Sequence, residues 1–184
     1  DWSSDVCSSD LINQEAIKLE KAPKIAVYTP GGKQPWDDAV TLVLTYAEIP
    51  YDEVYDESVF QGQLKKYDWL HLHHEDFTGQ YGKFYSGYAH TAWYQKEVFD
   101  NEAMAKKLGF NKVSKLKLHT AKTIREFVFS GGFLFAMCSA TDSYDIALAA
   151  EGTDICESMY DHDAANPNAA EQLDFSKEIG RAHV

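Results

Sequence analysis

The sequence predicts an α/β fold in which helices pack on the faces of a mostly parallel sheet. Three observations lead to this prediction. Short apolar segments with strand character recur along the chain, amphipathic helical segments separate them, and the last apolar run opens with Gly131-Gly132 and ends at Cys138. Parallel neighbours need a crossover connection, usually a helix, so alternating strands and helices are typical of a parallel sheet.

Strand and helix signals follow each other along most of the chain. Apolar patterns predict four strands and a short fifth one, at 24–29, 52–55, 67–73, 131–138 and 154–156. Helical spacing predicts helices at 12–20, 36–47, 97–108, 113–129 and 141–150. The run before Cys138 is short and uninterrupted, so we expect a fully buried, central strand there. A Gly- and Tyr-rich loop at 77–88 is long enough to be a functional cover.

Cys138 ends its strand in a pattern typical of a nucleophile elbow. Ala136 and Ala140, two residues before and after it, are small, as a crowded strand-to-helix turn requires. Thr141 or Asp142 is expected to cap the following helix, whose positive N-terminal end favours a thiolate. The alternative is an inert buried cysteine that closes a core strand. The residues leave both interpretations open.

Histidines and carboxylates cluster after the third predicted strand, in the segment His71–Asp76. The carboxyl ends of parallel strands lie at one sheet edge, where open α/β sheets bind ligands. We therefore expect this cluster to share that edge with Cys138 and with the turn Thr29–Lys33.

The cluster predicts a cysteine-dependent site whose catalytic candidates are Cys138, His73, His74 and Glu75. A histidine would take the proton of the thiol, and Glu75 or Asp76 would orient that histidine. Structural histidines and a metal site are the alternatives. Adjacent His73 and His74 point apart in an extended chain, so a metal would need ligands from elsewhere. No metal and no cofactor is assigned.

Aromatic residues in and after the cover loop suggest a different function. They are Tyr81, Phe84, Tyr85, Tyr88, Trp93 and Tyr94. A non-catalytic, envelope-associated domain of the same fold would use them to bind a carbohydrate or peptide, although lid packing would use the same side chains. An exposed Cys138 close to a histidine favours catalysis, and a sealed thiol favours the binding domain. The expected partner is a small molecule, a glycan or a peptide.

Two terminal segments are expected to lie outside the natural domain. Residues 1–11 and 178–184 resemble translated sequencing-library adapter, because one oligonucleotide read on opposite strands accounts for both. The expected domain is therefore 12–177, cut at both sides, and its compartment is not predicted. Without these ends the acidic side chains fall from 29 to 25 and the basic ones from 17 to 16, so the net charge changes from −12 to −9.

An acidic balance excludes some classes of partner. Nucleic acid and anionic membranes need clustered Lys and Arg, so neither is expected to bind. No apolar run approaches the ~20 residues of a membrane span. Cys138 and Cys156, the cysteines outside the adapter-like ends, fit neither a disulfide framework nor a zinc site. The segment Asp161–Asp163 is expected to be a solvated acidic loop, with a cation site as the alternative.

Four strings carry a family resemblance that covers nearly all of residues 21–177: KIAVYTP, QPWDDAVTLVLTYAEIPYD, YDWLHLHHEDFTGQYGKFY and FAMCSATDSYDIALAAEG. With the order of strands and helices, they resemble the class I glutamine amidotransferase-like fold, which PfpI-like and ThuA-like proteins share. They are more closely similar to a protein group of Bacteroidota labelled asparagine synthetase B. The resemblance implies a truncated, flavodoxin-like three-layer sandwich, and the resembled group suggests export to the periplasm.

The same resemblance implies an activity. It places Cys138 on the nucleophile position, and the His73–His74 turn where amidotransferases carry a Gly-rich oxyanion loop. It therefore implies a cysteine-dependent amidase or amidotransferase that acts on an amide or acyl carbon. The family's His-x-Glu pair follows the elbow and has no counterpart before Lys177. The N-terminal cysteine and SGG-x-DS loop of glutamine-dependent asparagine synthetases do not occur in this sequence either.

Overall fold

A computed structural model describes residues 21–30, 39–81 and 84–180, which form an α/β fold around a four-stranded parallel sheet. The strands are β1 (Ile25–Tyr28), β2 (Tyr51–Val54), β3 (Trp69–Leu72) and β4 (Phe133–Ala136). Their order is β2-β1-β3-β4, and each neighbouring pair is parallel. The predicted α/β class and the parallel sheet are confirmed.

Helices connect the strands and follow the last of them. Those in the described ranges are α1 (Ala39–Tyr46), α2 (Asp56–Phe60), α3 (Tyr85–Tyr88), α4 (Ala92–Lys107), α5 (Val113–Phe129), α6 (Ser139–Ala149), α7 (Ser158–Asp161) and α8 (Ala169–Gln172). Single 3-10 turns lie at Gln63–Lys66 and Phe175–Lys177. The prediction for α5 is confirmed residue for residue. Helix α4 begins before the predicted position, and α3 lies inside the predicted loop.

The two faces of the sheet carry separate cores, because successive side chains of a strand point to opposite faces. Tyr28 and Leu72 belong to the larger core, to which α2, α5 and α6 contribute. On the other face, Val27 packs with Leu44 of α1 in a smaller core. Helices thus cover both faces, and the carboxyl ends of all four strands lie at one edge.

The prediction that the strand before Cys138 is buried and central is wrong for the sheet that these residues form. Strand β4 pairs with β3 alone and is an edge strand. Its Phe133 and Phe135 are 57% and 45% exposed. Both side chains lie on the sheet face that carries the smaller core. Helix α1 packs on this face near β1, whereas β4 is at the end of the strand order. An uninterrupted apolar run does not distinguish an edge strand from a central one.

The predicted short strand at 154–156 is also absent: the described chain is irregular there. The Asp154 carboxylate accepts the N–H of Cys156 at 3.0 Å, and the Asp154 carbonyl accepts the N–H of Asn166 at 2.8 Å. Side-chain and loop hydrogen bonds therefore satisfy this backbone in place of a sheet ladder.

Some predictions concern residues outside the described ranges. They are the helix at 12–20, the first residues of the helix at 36–47, the turn residues 31–33, and the segments 1–11 and 181–184. Of the adapter-like C-terminal segment, residues 178–180 are described, and the N–H groups of Ile179 and Gly180 donate to Asp145 at 3.1 and 3.2 Å. Within the described ranges, no helix has the length and apolar content to cross a bilayer.

Candidate active site

Cys138 lies in a sharp bend between β4 and α6. It directly precedes Ser139, the first residue of α6, and its backbone has φ 55° and ψ −143°. A positive φ is uncommon for a residue with a Cβ atom, and such a conformation costs of order 1–3 kcal/mol. A strained strand-to-helix turn is typical of a nucleophile elbow, because it projects the reactive side chain out of the sheet. Cys138 is exposed, so solvent reaches this bend.

Helix α6 begins immediately after the thiol. The cap predicted from a side chain at Thr141 or Asp142 is not formed; Cys138 itself occupies the N-cap position and makes no side-chain cap bond. The Thr141 hydroxyl donates instead to the Cys138 carbonyl at 2.7 Å. This prediction was wrong because the helix starts three to four residues earlier than a cap at Thr141 or Asp142 requires. The thiol consequently lies directly at the N-terminus of the helix.

The backbone after β3 runs beside the Cys138 bend. The Met137 N–H donates to the Leu72 carbonyl at 3.0 Å and extends the pairing of β3 with β4 to the base of the bend. Beyond it, the Ala140 N–H donates to the His73 carbonyl at 3.3 Å. The histidine turn and the cysteine are therefore neighbours at the same sheet edge.

Two serines of α6 fasten the helix to the same turn. Ser139 Oγ donates to the His74 carbonyl at 3.1 Å, and Ser143 Oγ donates to the Glu75 carbonyl at 2.8 Å. The serines are four residues apart, so both lie on one side of the helix. With the Ala140 bond, they attach each of three successive turn residues to the start of α6. Neither serine was identified from the sequence, because the carbonyls that they bind are more than 60 residues away.

His73 and His74 form a coupled pair. Their Nδ1 atoms are 2.9 Å apart, and both residues are half-buried. One Nδ1 must donate and the other accept, so the donor ring, when neutral, carries its lone pair on Nε2. Such a lone pair can take a thiol proton. His71, in contrast, is buried within β3 and stacks on Phe135 with ring centroids 5.4 Å apart.

Glu75 and Asp76, the two acids of the cluster, accept hydrogen bonds from main-chain N–H groups. The Glu75 side chain is buried and accepts the N–H of His73 at 3.0 Å. The Asp76 carboxylate accepts the N–H groups of Gln80 and Tyr81 at 2.8 and 3.1 Å. The sequence predicts that Glu75 or Asp76 orients an imidazole. These contacts show that Glu75 holds the histidine turn and that Asp76 holds the loop that follows it.

Cys156, the second cysteine of the described chain, has a different environment. It is buried, and its thiol donates to the Gly79 carbonyl at 3.6 Å. Burial, followed by the nearby carboxylates of Asp161 and Asp154, raises the pKa of this thiol to about 12. Cys156 is therefore a neutral, packed thiol and not a candidate nucleophile.

A buried ion pair near the ends of β1 and β2 was not identified from the sequence. Lys117 Nζ of α5 lies 2.7 Å from Asp56 Oδ2, and it also donates to the hydroxyls of Tyr28 and Tyr55 at 3.1 and 3.0 Å. Thr120 and Tyr28 donate to Asp56 Oδ1 at 2.9 and 2.6 Å. Burial acts to lower the pKa of Lys117, but attraction to Asp56 outweighs it and keeps that pKa above its usual value. We call these five residues the sealed cluster.

The predicted acidic loop at Asp161–Asp163 forms ion pairs with Lys112. Carboxylate oxygens of Asp154, Asp161 and Asp163 lie 2.8 to 3.0 Å from Lys112 Nζ. The Asp161 side chain is only 8% exposed, so the expectation of a solvated loop is wrong at this residue. Across the ranges that the structure describes, no group of three or more His, Cys, Asp and Glu side chains is arranged to hold a metal ion.

The predicted aromatic surface forms two groups that meet where Trp93 packs edge to face on Tyr94, at 78° with ring centroids 5.8 Å apart. The exposed group consists of Phe84, Tyr88 and Trp93, and the other group, which lines a cavity of about 310 Å³, consists of Tyr81, Tyr85 and Tyr94. Tyr160 of α7 completes the cavity. It was not predicted because it lies in a polar segment without periodicity, more than 60 residues from its partners.

Comparison of the chain with models of known protein families, with curated proteins and with solved structures gives no match. The geometry of the Cys138 bend and its surroundings is therefore the basis for a functional assignment.

Proposed function

We propose that this chain is a class I amidotransferase-like protein in which Cys138 acts as a nucleophile toward an amide or acyl carbon. The observation that carries the proposal is the exposed, positive-φ Cys138, whose following residues Ser139 and Ala140 hydrogen-bond to the main-chain carbonyls of the His73–His74 turn. A strained residue persists only where the surrounding structure holds it, and such residues cluster at active sites. The hydrogen bonds from α6 to the histidine turn supply that support.

In the proposed reaction, a neutral imidazole of the pair removes the Cys138 proton, and the thiolate sulfur forms a bond to the carbonyl carbon. Backbone N–H groups stabilise the resulting oxyanion, and an elbow assigns one of them to the residue after the nucleophile, here Ser139. The C–N bond then breaks, and the leaving amine takes the proton from the imidazolium. Water, or an acceptor amine in a transferase, releases the acyl group from the thioester.

The fold supports the family part of this proposal. The order β2-β1-β3-β4 matches the first four positions of the flavodoxin-like order 2-1-3-4-5. The candidate nucleophile follows the fourth strand, at the edge where ligands bind in such sheets. The strings around β1, β3 and Cys138 that resemble the amidotransferase-like group lie in these same elements.

Replacement of Cys138 by Ala tests the proposal. The variant should lose alkylation by iodoacetamide at neutral pH and any release of ammonia from glutamine, asparagine or simple primary amides. Intact-protein mass spectrometry measures the alkylation, and a coupled ammonia assay measures the reaction. H73Q and H74Q should each slow alkylation of Cys138 near pH 7, because each disturbs the imidazole pair that would take the proton.

The matched control is Cys156→Ala, which removes the buried thiol and should leave both measurements unchanged. The nucleophile assignment is wrong if Cys138 in the unaltered protein reacts with the pH profile of a free thiol, with a midpoint of about 8.5. The assignment of the base is wrong if H73Q and H74Q leave that profile unchanged.

A further inference from the structure

The tyrosine cavity, defined by Tyr81, Tyr85, Tyr94 and Tyr160, is a site of different chemistry from the Cys138 bend. Its volume of about 310 Å³ lies at the lower end of the roughly 300–1,000 Å³ of small-molecule sites. It is built from the loop after β3 and from α3, α4 and α7. A ligand of one ring, or two at most, is therefore the size that fits.

The lining offers hydrogen bonds without formal charge. Besides the phenols, His90, Gln95 and His162 contribute imidazole and carboxamide groups, and no Lys, Arg, Asp or Glu of the described ranges is part of the lining. Burial raises the pKa of Tyr94 to about 12, so this phenol remains a neutral donor at physiological pH. A charged ligand would lose water here without a Lys, Arg, Asp or Glu side chain of the described lining to pair with, which is unfavourable.

The aromatic rings have fixed positions. Tyr81 and Tyr85 each meet Tyr94 edge to face, at 67° and 71° with centroids 5.9 and 6.3 Å apart. Tyr85 meets Tyr160 in the same way, at 73° and 5.4 Å. Each tyrosine presents an apolar ring together with a polar hydroxyl. A pyranose ring has the complementary form, with apolar C–H faces and a rim of hydroxyl groups.

Tyr81 is a fixed part of the cavity wall. Its side chain is 7% exposed, and its hydroxyl has no hydrogen-bond partner among the residues that the structure describes. Buried hydroxyls almost always have a partner in the protein, in water or in a ligand. The Asp76 carboxylate binds the Tyr81 N–H, and Tyr81 has a φ of 55°, so the main chain is bent to hold this side chain in place. The hydroxyl is sealed from solvent, so a ligand in the cavity meets the ring of Tyr81 and not this oxygen.

We propose that the tyrosine cavity binds a neutral saccharide ring, with tyrosine faces against its C–H groups and phenol, imidazole and carboxamide groups at its hydroxyls. This inference does not depend on the proposed activity of Cys138. It also assigns the binding to the cavity rather than to the exposed group of Phe84, Tyr88 and Trp93.

The test is titration of the full chain with the methyl glycosides of glucose, galactose, mannose and N-acetylglucosamine, followed by saturation-transfer NMR and calorimetry. At least one of these neutral glycosides should bind, and glucuronic acid and protonated glucosamine should bind at least tenfold more weakly. Tyr160→Phe removes only the hydroxyl of a half-buried tyrosine in the cavity wall, so it should weaken binding about tenfold without lowering the thermal unfolding midpoint. Tyr85→Phe is the second variant if Tyr160→Phe does not fold.

Two control variants separate this site from other parts of the molecule. Tyr88→Leu alters the exposed aromatic group at a residue whose ring packs on Phe84 and Trp93, and Cys138→Ala removes the proposed nucleophile; both should bind the glycoside as the unaltered chain does. The proposal is overturned if no neutral glycoside binds, if the charged sugars bind as well or better, or if Tyr88→Leu removes binding while Tyr160→Phe retains it. Loss of amide chemistry in Cys138→Ala with retained glycoside binding would leave this proposal supported.

Discussion

Two groups of polar residues at the carboxyl ends of the strands differ in almost every physical respect. The sealed cluster around Lys117 and Asp56 is buried, with side chains 4% and 0% exposed. Its charges face each other, and three hydroxyl groups complete their hydrogen bonds. The Cys138 bend is exposed, strained and fastened mainly by hydrogen bonds to backbone carbonyls.

The difference indicates that polar residues at this sheet edge have two roles, one in stability and one in reactivity. A buried charge is tolerated only when it is paired and hydrogen-bonded, so the sealed cluster joins α2, α5, β1 and the end of β2 into one unit. A reactive group needs access and a fixed backbone, and the helix-to-turn bonds supply the second of these at Cys138. We therefore expect changes in the sealed cluster to affect stability and changes at the bend to affect reactivity.

The largest effect is expected from Lys117→Ala. Removal of the ammonium leaves the Asp56 carboxylate buried without its counter-charge, which typically costs about 3–5 kcal/mol. Urea unfolding followed by circular dichroism measures the loss. The alkylation rate of Cys138 should remain unchanged under conditions in which the variant is folded.

Lys107→Ala is the matched control for this change. Lys107 forms an ion pair with Glu57 at 2.7 Å, also between the segment after β2 and another helix, but its side chain is 58% exposed. Exposed pairs of this kind contribute about 1 kcal/mol or less. If the two lysine variants lose the same stability, the sealed cluster is not the structural centre that its burial indicates.

Local signals explain which parts of the fold could be predicted. Helix α5 has an amphipathic spacing of Leu116, Ala121 and Ile124, all buried in the structure, and its limits follow from this pattern. The Cys138 bend could also be predicted from the sequence, because the turn itself requires small residues two positions before and after it. The prediction needed only the residues next to the feature.

The failures concern features that depend on residues far apart in the chain. Lys117 and Asp56 are 61 residues apart, and nothing in the local sequence of either predicts the other. The edge position of β4 is a property of the order of the whole sheet, whereas its apolar residues would suit a central strand equally well. Tyr160 illustrates the same point, since three-dimensional contact alone joins it to the tyrosine cavity.

Alkaline pH provides a second, smaller test, which compares the two thiols. Burial raises the pKa of Cys156 from an ordinary 9.0 to about 12 in the folded chain. Between these values the unfolded chain loses the thiol proton and the folded chain keeps it, so the unfolded state binds fewer protons. The stability that this difference contributes is complete below about pH 9 and is lost as the pH rises toward 12.

Cys156→Ala should therefore show a shallower decline of unfolding free energy between about pH 8.5 and 10.5 than the unaltered chain. Tyr94, whose pKa burial also raises to about 12, contributes in the same direction and remains in the variant, so part of the decline should persist. Cys138→Ala serves as the control, because that thiol is exposed. An identical slope in Cys156→Ala and the unaltered chain would show that burial does not hold this thiol protonated.

The smallest expected effect has the opposite sign and concerns the bend itself. Both Cys138→Gly and Cys138→Ala remove the thiol, but only glycine adopts a φ of 55° without steric cost. Relief of the strain exceeds the entropy that glycine adds to the unfolded chain, so the glycine variant should be more stable than the alanine variant by about 0.5–1 kcal/mol. Urea unfolding of the two variants in parallel measures the difference.

A glycine variant less stable than the alanine variant would mean that the bend is not strained, and the main argument for a nucleophile at this position would be lost. A gain would show that the chain keeps a cysteine at Cys138 at some cost to its own stability, which is expected of a residue retained for reactivity rather than for packing.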